Sequence, residues 1–117
     1  MISPISSSIS ALSAFGKKLG VIANNIANVN TDGFKKSRAI FNEGPHGGVQ
    51  VSINRIDTPG HPIVDEGTGE ITDRETSNVG LTEEIPQLIM AKRCYQANLK
   101  TVKAQDEMLG SLIDILR

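Results

Sequence analysis

The chain has 117 residues, 38% hydrophobic and 3% aromatic, with a formal net charge of -1. That length supports one domain, and the few aromatics leave any core to Ile, Leu and Val. A single cysteine excludes an internal disulfide framework.

The charge is unevenly spread. Residues 1–40 hold five bases and one acid, residues 41–86 two bases and nine acids, and residues 87–117 five bases and three acids. Basic ends and an acidic middle can set the register between subunits. No window approaches the ~18 apolar residues of a membrane span, so no membrane insertion is expected. The N-terminus lacks a basic n-region followed by an apolar run and a cleavage site, so no cleavable secretory signal is expected either.

Ser3-Pro4 is a favourable helix start, with Ser able to cap and Pro suited to the first helical position. Ile5, Ile9, Leu12, Phe15, Leu19, Ile22, Ile26 and Val29 then recur at the three- and four-residue steps of one helix face. Gly16 and Gly20 lower helix propensity but permit another helix to approach closely. Asn30-Thr31-Asp32-Gly33 should stop the helix, because Asn and Gly tolerate the left-handed conformation. Lys35, Lys36 and Arg38 read as a short exposed stretch.

Residues 44–48, Gly-Pro-His-Gly-Gly, read as a loop. Val49, Val51 and Ile53 alternate with Gln50, Ser52 and Asn54, which is the pattern of a half-buried strand. Thr58-Pro59-Gly60-His61-Pro62 breaks it, and a second short strand is expected near Glu70-Ile71-Thr72. Two short strands are marginal in water, so the middle should lean on the helices.

The last element is the longest. From Leu81, steps of four and three select Ile85, Leu88, Lys92, Tyr95, Leu99, Val102, Asp106, Leu109, Ile113 and Leu116. Only Lys92 and Asp106 interrupt this apolar heptad seam. Glu83 and Glu84 suit the positive end of the helix dipole and read as solvated. Pro86 removes one backbone bond and should bend the entry. A helix of roughly 50 Å exceeds what so small a domain can cover, and the overhang calls for partner subunits.

The expected fold class is therefore mainly α. Long N- and C-terminal helices form an antiparallel coiled-coil-like pair around a small β or irregular middle. The expected divisions are 1–33 for the first helix, 34–77 for the middle with one or two short strands, and 78–117 for the last helix.

No constellation for catalysis, cofactor or metal is expected. Asn28 to Gly33 resembles the first half of a calcium loop, but the twelfth position is Ala39 where a bidentate Glu is needed. Gly-Pro-His-Gly-Gly lacks the Lys and the helix of a phosphate loop. Cys94 is remote in sequence from His46 and His61 and reads as a small buried hydrophobe. Lys17-Lys18 and Lys35-Lys36 have no interleaved aromatics for stacking, so no nucleic-acid partner is expected.

The segment Ala23-Asn24-Asn25-Ile26-Ala27-Asn28-Val29-Asn30-Thr31-Asp32-Gly33-Phe34-Lys35-Lys36 resembles the N-terminal signature of the bacterial flagellar rod and hook protein family. Ser77-Asn78-Val79, then Ala91-Lys92-Arg93-Cys94-Tyr95-Gln96-Ala97-Asn98, resembles its C-terminal signature. Gly33-Phe34-Lys35 is closer to hook and distal-rod members. The short middle, with Pro59-Gly60-His61-Pro62, Asp65 and Ser77-Asn78-Val79, looks more like the small proximal-rod members. Pro86 departs from the family pattern.

The resemblance implies an axial subunit of the basal body, exported unfolded through the flagellar type III apparatus. Its partners would be copies of itself and other rod and hook proteins. Ile5, Ile9, Leu12, Leu19, Ile22 and Ile26 would pack against Ile85, Leu88, Tyr95, Leu99, Val102, Leu109, Ile113 and Leu116. Asn24, Asn25, Asn28, Gln96 and Asn98 would hydrogen-bond between helices or subunits. The alternative is a cytoplasmic coiled-coil adaptor or chaperone for axial proteins.

Overall fold

The computed structural model describes residues 3–117. The elements in order are α1 (Pro4–Ala27), β1 (Ser37–Glu43), β2 (Val49–Arg55), β3 (Pro62–Val64), β4 (Ile71–Glu75) and α2 (Leu81–Leu116). Two long helices thus enclose, in sequence, a small β middle.

Helix α1 begins where Ser3 accepts a hydrogen bond from the Ser6 amide at 3.2 Å, with Pro4 at the first helical position. It ends before the apolar stripe does, since Val29 lies beyond Ala27. Asn28 stops it by donating its side-chain amide to the Asn24 carbonyl at 2.9 Å. Gly33 then adopts a φ of 71°, which turns the chain toward the strands.

The middle holds four strands where the sequence suggested one or two. Strands β1 and β2 form one antiparallel sheet, from Ser37 opposite Arg55 to Glu43 opposite Val49. Strands β3 and β4 form another, with an irregularity between Pro62 and Val64. Local pattern hid β1 because it opens on Ser37 and Arg38. Its anchor is tertiary: Phe41 meets Phe15 of α1 edge to face, with centroids 5.0 Å apart. The three-residue β3 starts on a proline, which edge strands tolerate. Lys35, Lys36 and Arg38 are part-buried in ion pairs rather than exposed, because carboxylates of distant segments face them.

The helices run antiparallel. Asn25, near the end of α1, bonds to Glu84 at the start of α2. A Cβ on Gly16 would lie 3.9 Å from the Tyr95 ring, whereas Gly20 has open space around it. At the other end Ile5 lines a groove with Leu99 and Val102. Helix α2 continues unbroken through Pro86. Its 36 residues measure about 54 Å against about 36 Å for the 24 of α1. The last three turns of α2 therefore project past its partner.

This inequality sets the shape. The extents are 81 × 25 × 15 Å and the radius of gyration is 20.8 Å, against about 13 Å for a compact chain of this length. Accessible surface is 8228 Å², roughly a third above the ~6,200 Å² of a compact fold of equal mass. Among the described residues only Ala14, Ile22 and Ala91 are fully buried apolar side chains, while sixteen large apolar ones are exposed. So small a core cannot by itself make a robust monomer.

Two glycines separate steric need from mere presence. A Cβ on Gly60 would overlap the Thr76 carbonyl oxygen. Gly60→Ala is expected to lower stability by about 1–3 kcal/mol, read as a lower urea midpoint. Gly20→Ala meets nothing and should raise stability by up to about 1 kcal/mol through helix propensity alone.

Candidate assembly interface

Asn24, Asn25 and Asn28 occupy the last turn of α1 and its cap, and helical spacing turns only Asn25 inward. Its side chain is fully buried. Its carbonyl oxygen accepts from the Ser37 amide at 3.0 Å, and its amide donates to the Ser37 carbonyl at 2.8 Å and to Glu84 Oε2 at 3.3 Å. One side chain thus satisfies both backbone groups at the start of β1 and reaches α2.

Glu84 is equally buried, and its Oε1 accepts from Arg38 Nη1 at 2.5 Å. Glu83, about half exposed, takes Arg38 Nη2 at 2.7 Å and Lys36 Nζ at 2.8 Å. A buried carboxylate is costly unless paired and hydrogen-bonded, and Glu84 is both. Reading Glu84 as a solvated helix end is corrected here, since Arg38 and Asn25 close over it. Hydrogen bonds from Lys36 and then Arg38 hold the Glu83 carboxyl below its ordinary value. Burial opposes charge on Arg38, but hydrogen bonds to Glu84 and Glu83 outweigh it, and its pKa is raised.

Asn78 makes a second knot beside this junction. Its Oδ1 accepts from the Lys36 amide at 2.7 Å, and its amide donates to the carbonyls of Ile56 at 2.8 Å and Thr58 at 2.9 Å. Lys35 pairs with Glu75. Together these contacts tie the necks of both hairpins to the helix ends.

The apolar face is arranged around this junction. In α1, Ile22 is fully buried, Ile5, Leu12, Leu19 and Ile26 are half-buried, and Ile9 is 53% exposed. In α2 the inward line runs through Glu84, Leu88, Ala91, Tyr95, Asn98 and Val102, while Ile85 and Leu99 lie exposed on its flanks. Leu109, Ile113 and Leu116 are exposed on the projecting turns.

The remaining amides stay local within this copy. Asn28 bonds to Asn24 and accepts from Thr31 at 3.1 Å. Asn98 donates to the Cys94 carbonyl of its own helix at 2.9 Å, and Gln96 is exposed. Glu84, Arg38, Lys36, Ser37 and Asn78 are the residues that sequence reasoning passed over. The one local hint was the signature Ser77-Asn78-Val79.

Asp32, in the calcium-like segment, pairs with Arg74. Among the described residues no group of three or more His, Cys, Asp or Glu is placed to hold a metal. Cys94 is half-buried.

Two family models match the chain. Residues 5–35 match the flagella basal body rod protein model, and residues 74–115 match the flagellar basal body rod FlgEFG protein C-terminal model. Each covers one helix and the adjoining part of the junction. The flagellar basal-body rod protein FlgG of Bacillus subtilis is 56% identical over 105 residues, covering 87% of this chain and 36% of that protein. The rod protein FlgC of Borreliella burgdorferi is 28% identical over 149 aligned positions, covering 100% of this chain and 98% of that protein. The flagellar hook protein FlgE of Escherichia coli is 44% identical over 41 residues, 35% of this chain and 10% of that protein. The chain thus spans about a third of the FlgG relative and nearly all of the FlgC relative.

The junction makes two measurable demands. Glu84→Ala removes the acceptor of Arg38 Nη1 and one of the two acceptors of the Asn25 amide, leaving Arg38 with Glu83 and Asn25 with Ser37. It should cost about 1–3 kcal/mol, seen as a lower urea midpoint. Glu83 and Glu75 have folded pKa values lowered from 4.5. Their stabilisation is complete above that value and is lost as pH falls through the lowered one. Stability should therefore fall on acidification below about pH 4.5, and Glu83→Gln should flatten that slope by no more than about 1 kcal/mol, the worth of a solvent-screened pair.

Proposed function

The chain belongs to the flagellar basal-body rod and hook protein family, and on that premise we propose that it is a structural subunit of the flagellar rod. That family is a structural one and not a family of enzymes. One observation carries the reading. Among the described residues, twelve of the sixteen exposed large apolar side chains lie on the two helices matched by the family models, eleven of them on α2.

Copies pack through their terminal helices. The α1–α2 pair, coiled-coil-like in its heptad spacing, forms the axial part, and the hairpins stand outside it. Ile9, Leu99, Leu109, Ile113 and Leu116 meet neighbouring copies or other rod and hook proteins, and Asn24, Asn28, Gln96 and Asn98 supply polar contacts there. Covering the six large apolar side chains from Met108 to Leu116 is worth on the order of 10 kcal/mol gross. Part of that offsets the lost freedom of association. Ordering and assembly are thereby coupled.

The place of action is the basal body, in the rod that spans the periplasm. The route is export by the flagellar type III apparatus without a cleavable signal peptide. Among the described residues no helix is long and apolar enough to cross a membrane. The short middle favours a proximal-rod position. Neither family model is that of a cytoplasmic adaptor or chaperone.

Quantitative mass spectrometry of detergent-purified hook–basal bodies, with and without the hook, tests the role. A rod subunit stays after the hook is sheared off. Presence only in the cytosol would sink the reading. Leu109→Asp changes an exposed side chain, so the isolated chain should keep its fold while losing incorporation. Normal incorporation of that variant would contradict the assignment of this face.

A further inference from the structure

Two surfaces of opposite charge face solvent in this chain. The first is the β3–β4 hairpin. Val64 and Ile71 are cross-strand partners on one face, 51% and 72% exposed. Residues 64–73 carry four acids, Asp65, Glu66, Glu70 and Asp73, and no base. Among the described residues none of the four is in an ion pair. The hairpin packs against neither helix.

The second surface is the outward face of α2. At roughly 100° per residue, Ile85, Ile89, Lys92, Arg93, Lys100 and Lys103 share one face, which runs from the flank to the back of the line through Glu84, Ala91 and Val102. Ile85 and Ile89 are about half exposed. Residues 87–105 carry four bases and no acid. Lys103 lies 3.9 Å from Glu107, and among the described residues Lys92, Arg93 and Lys100 have no carboxylate partner.

We propose that the β3–β4 hairpin of one copy docks on the outward face of α2 of a second copy, Val64 and Ile71 covering Ile85 and Ile89 while Asp65, Glu66 and Glu70 pair with Lys92, Arg93 and Lys100. The inference rests on the rod-subunit reading and names a contact within it. Each surface combines an exposed apolar pair with a run of one charge, and the two runs have opposite sign. Lys35, Glu75 and Asn78 pin the hairpin's neck, which holds the tip away from its own α2. A contact between two different patches is heterologous, and it propagates along an open helical assembly instead of closing a dimer. It places the acidic middle of each copy on a basic helix of the next, and wrong registers bring like charges together.

Sedimentation velocity of the full chain at low salt tests this. Glu66→Lys with Glu70→Lys, or Lys92→Glu with Arg93→Glu, should each weaken self-association roughly tenfold or more. All four positions are exposed, so the circular dichroism of the variants should match the parent. The chain carrying all four changes restores opposite charges in exchanged places and should recover association. High salt should weaken the parent.

A wild-type chain that stays monomeric at every concentration overturns the contact. So does unaltered association of the double variants, or failure of the fourfold variant to recover. The subunit role is read separately, by presence in basal bodies. A chain found there without charge-swap rescue keeps the role and loses this contact. A chain absent there loses both.

Discussion

The whole arrangement turns on a buried polar junction, in which Asn25 closes both backbone groups of Ser37 and meets a Glu84 held by Arg38. It joins the end of α1, the start of β1 and the start of α2. Among the described residues the fully buried apolar core is three side chains, two of them alanine. A core that small provides attraction but little register. Apolar stripes can slide by a heptad at modest cost, whereas a buried carboxylate displaced from its guanidinium cannot. The directional bonds therefore decide how the helices are aligned, and the apolar contacts follow.

That alignment makes the two ends of the helix pair unlike. Near the junction, Glu84 and Ala91 are sealed, and Asn78 closes the neighbouring loop carbonyls. At the far end α2 outruns α1, and every residue from Asp106 onward is exposed. The same chain is thus a completed fold at one end and an open surface at the other. An open apolar surface of this extent exceeds the ordinary scatter of surface hydrophobics and is the surface that the proposed packing of copies would cover.

The hairpins illustrate a separation of anchor and tip. Their necks are held by Asn78, by the Lys35–Glu75 pair and by Gly60, which allows two backbone segments to touch. Their tips carry mostly solvent-facing side chains. A fixed neck leaves the outer segment free to differ in length without disturbing the helix junction. Among the relatives, FlgG is nearly three times longer than the part this chain matches, while FlgC is matched almost end to end.

Much of this was legible in residue order. The apolar periods of α1 and α2, the Ser3-Pro4 start, the β2 alternation and the excess length of the last helix are local properties. They follow from repeat spacing and cap chemistry, which adjacent residues determine. Burial of Glu84, the role of Asn25 as a backbone partner for Ser37 and the existence of β1 are not local. Asn25 and Glu84 are 59 positions apart, and Arg38 and Glu84 are 46 apart. Taken alone, Glu83-Glu84 reads as a solvated helix start, and Ile85 reads as the inward residue. Tertiary structure reverses that choice because a guanidinium and an amide, brought in from two other segments, make the buried carboxylate cheaper to keep than to expose. Residue order determined two amphipathic helices of unequal length around a small middle; only the tertiary structure decided which face of α2 turns inward, since that depends on partners no local pattern contains.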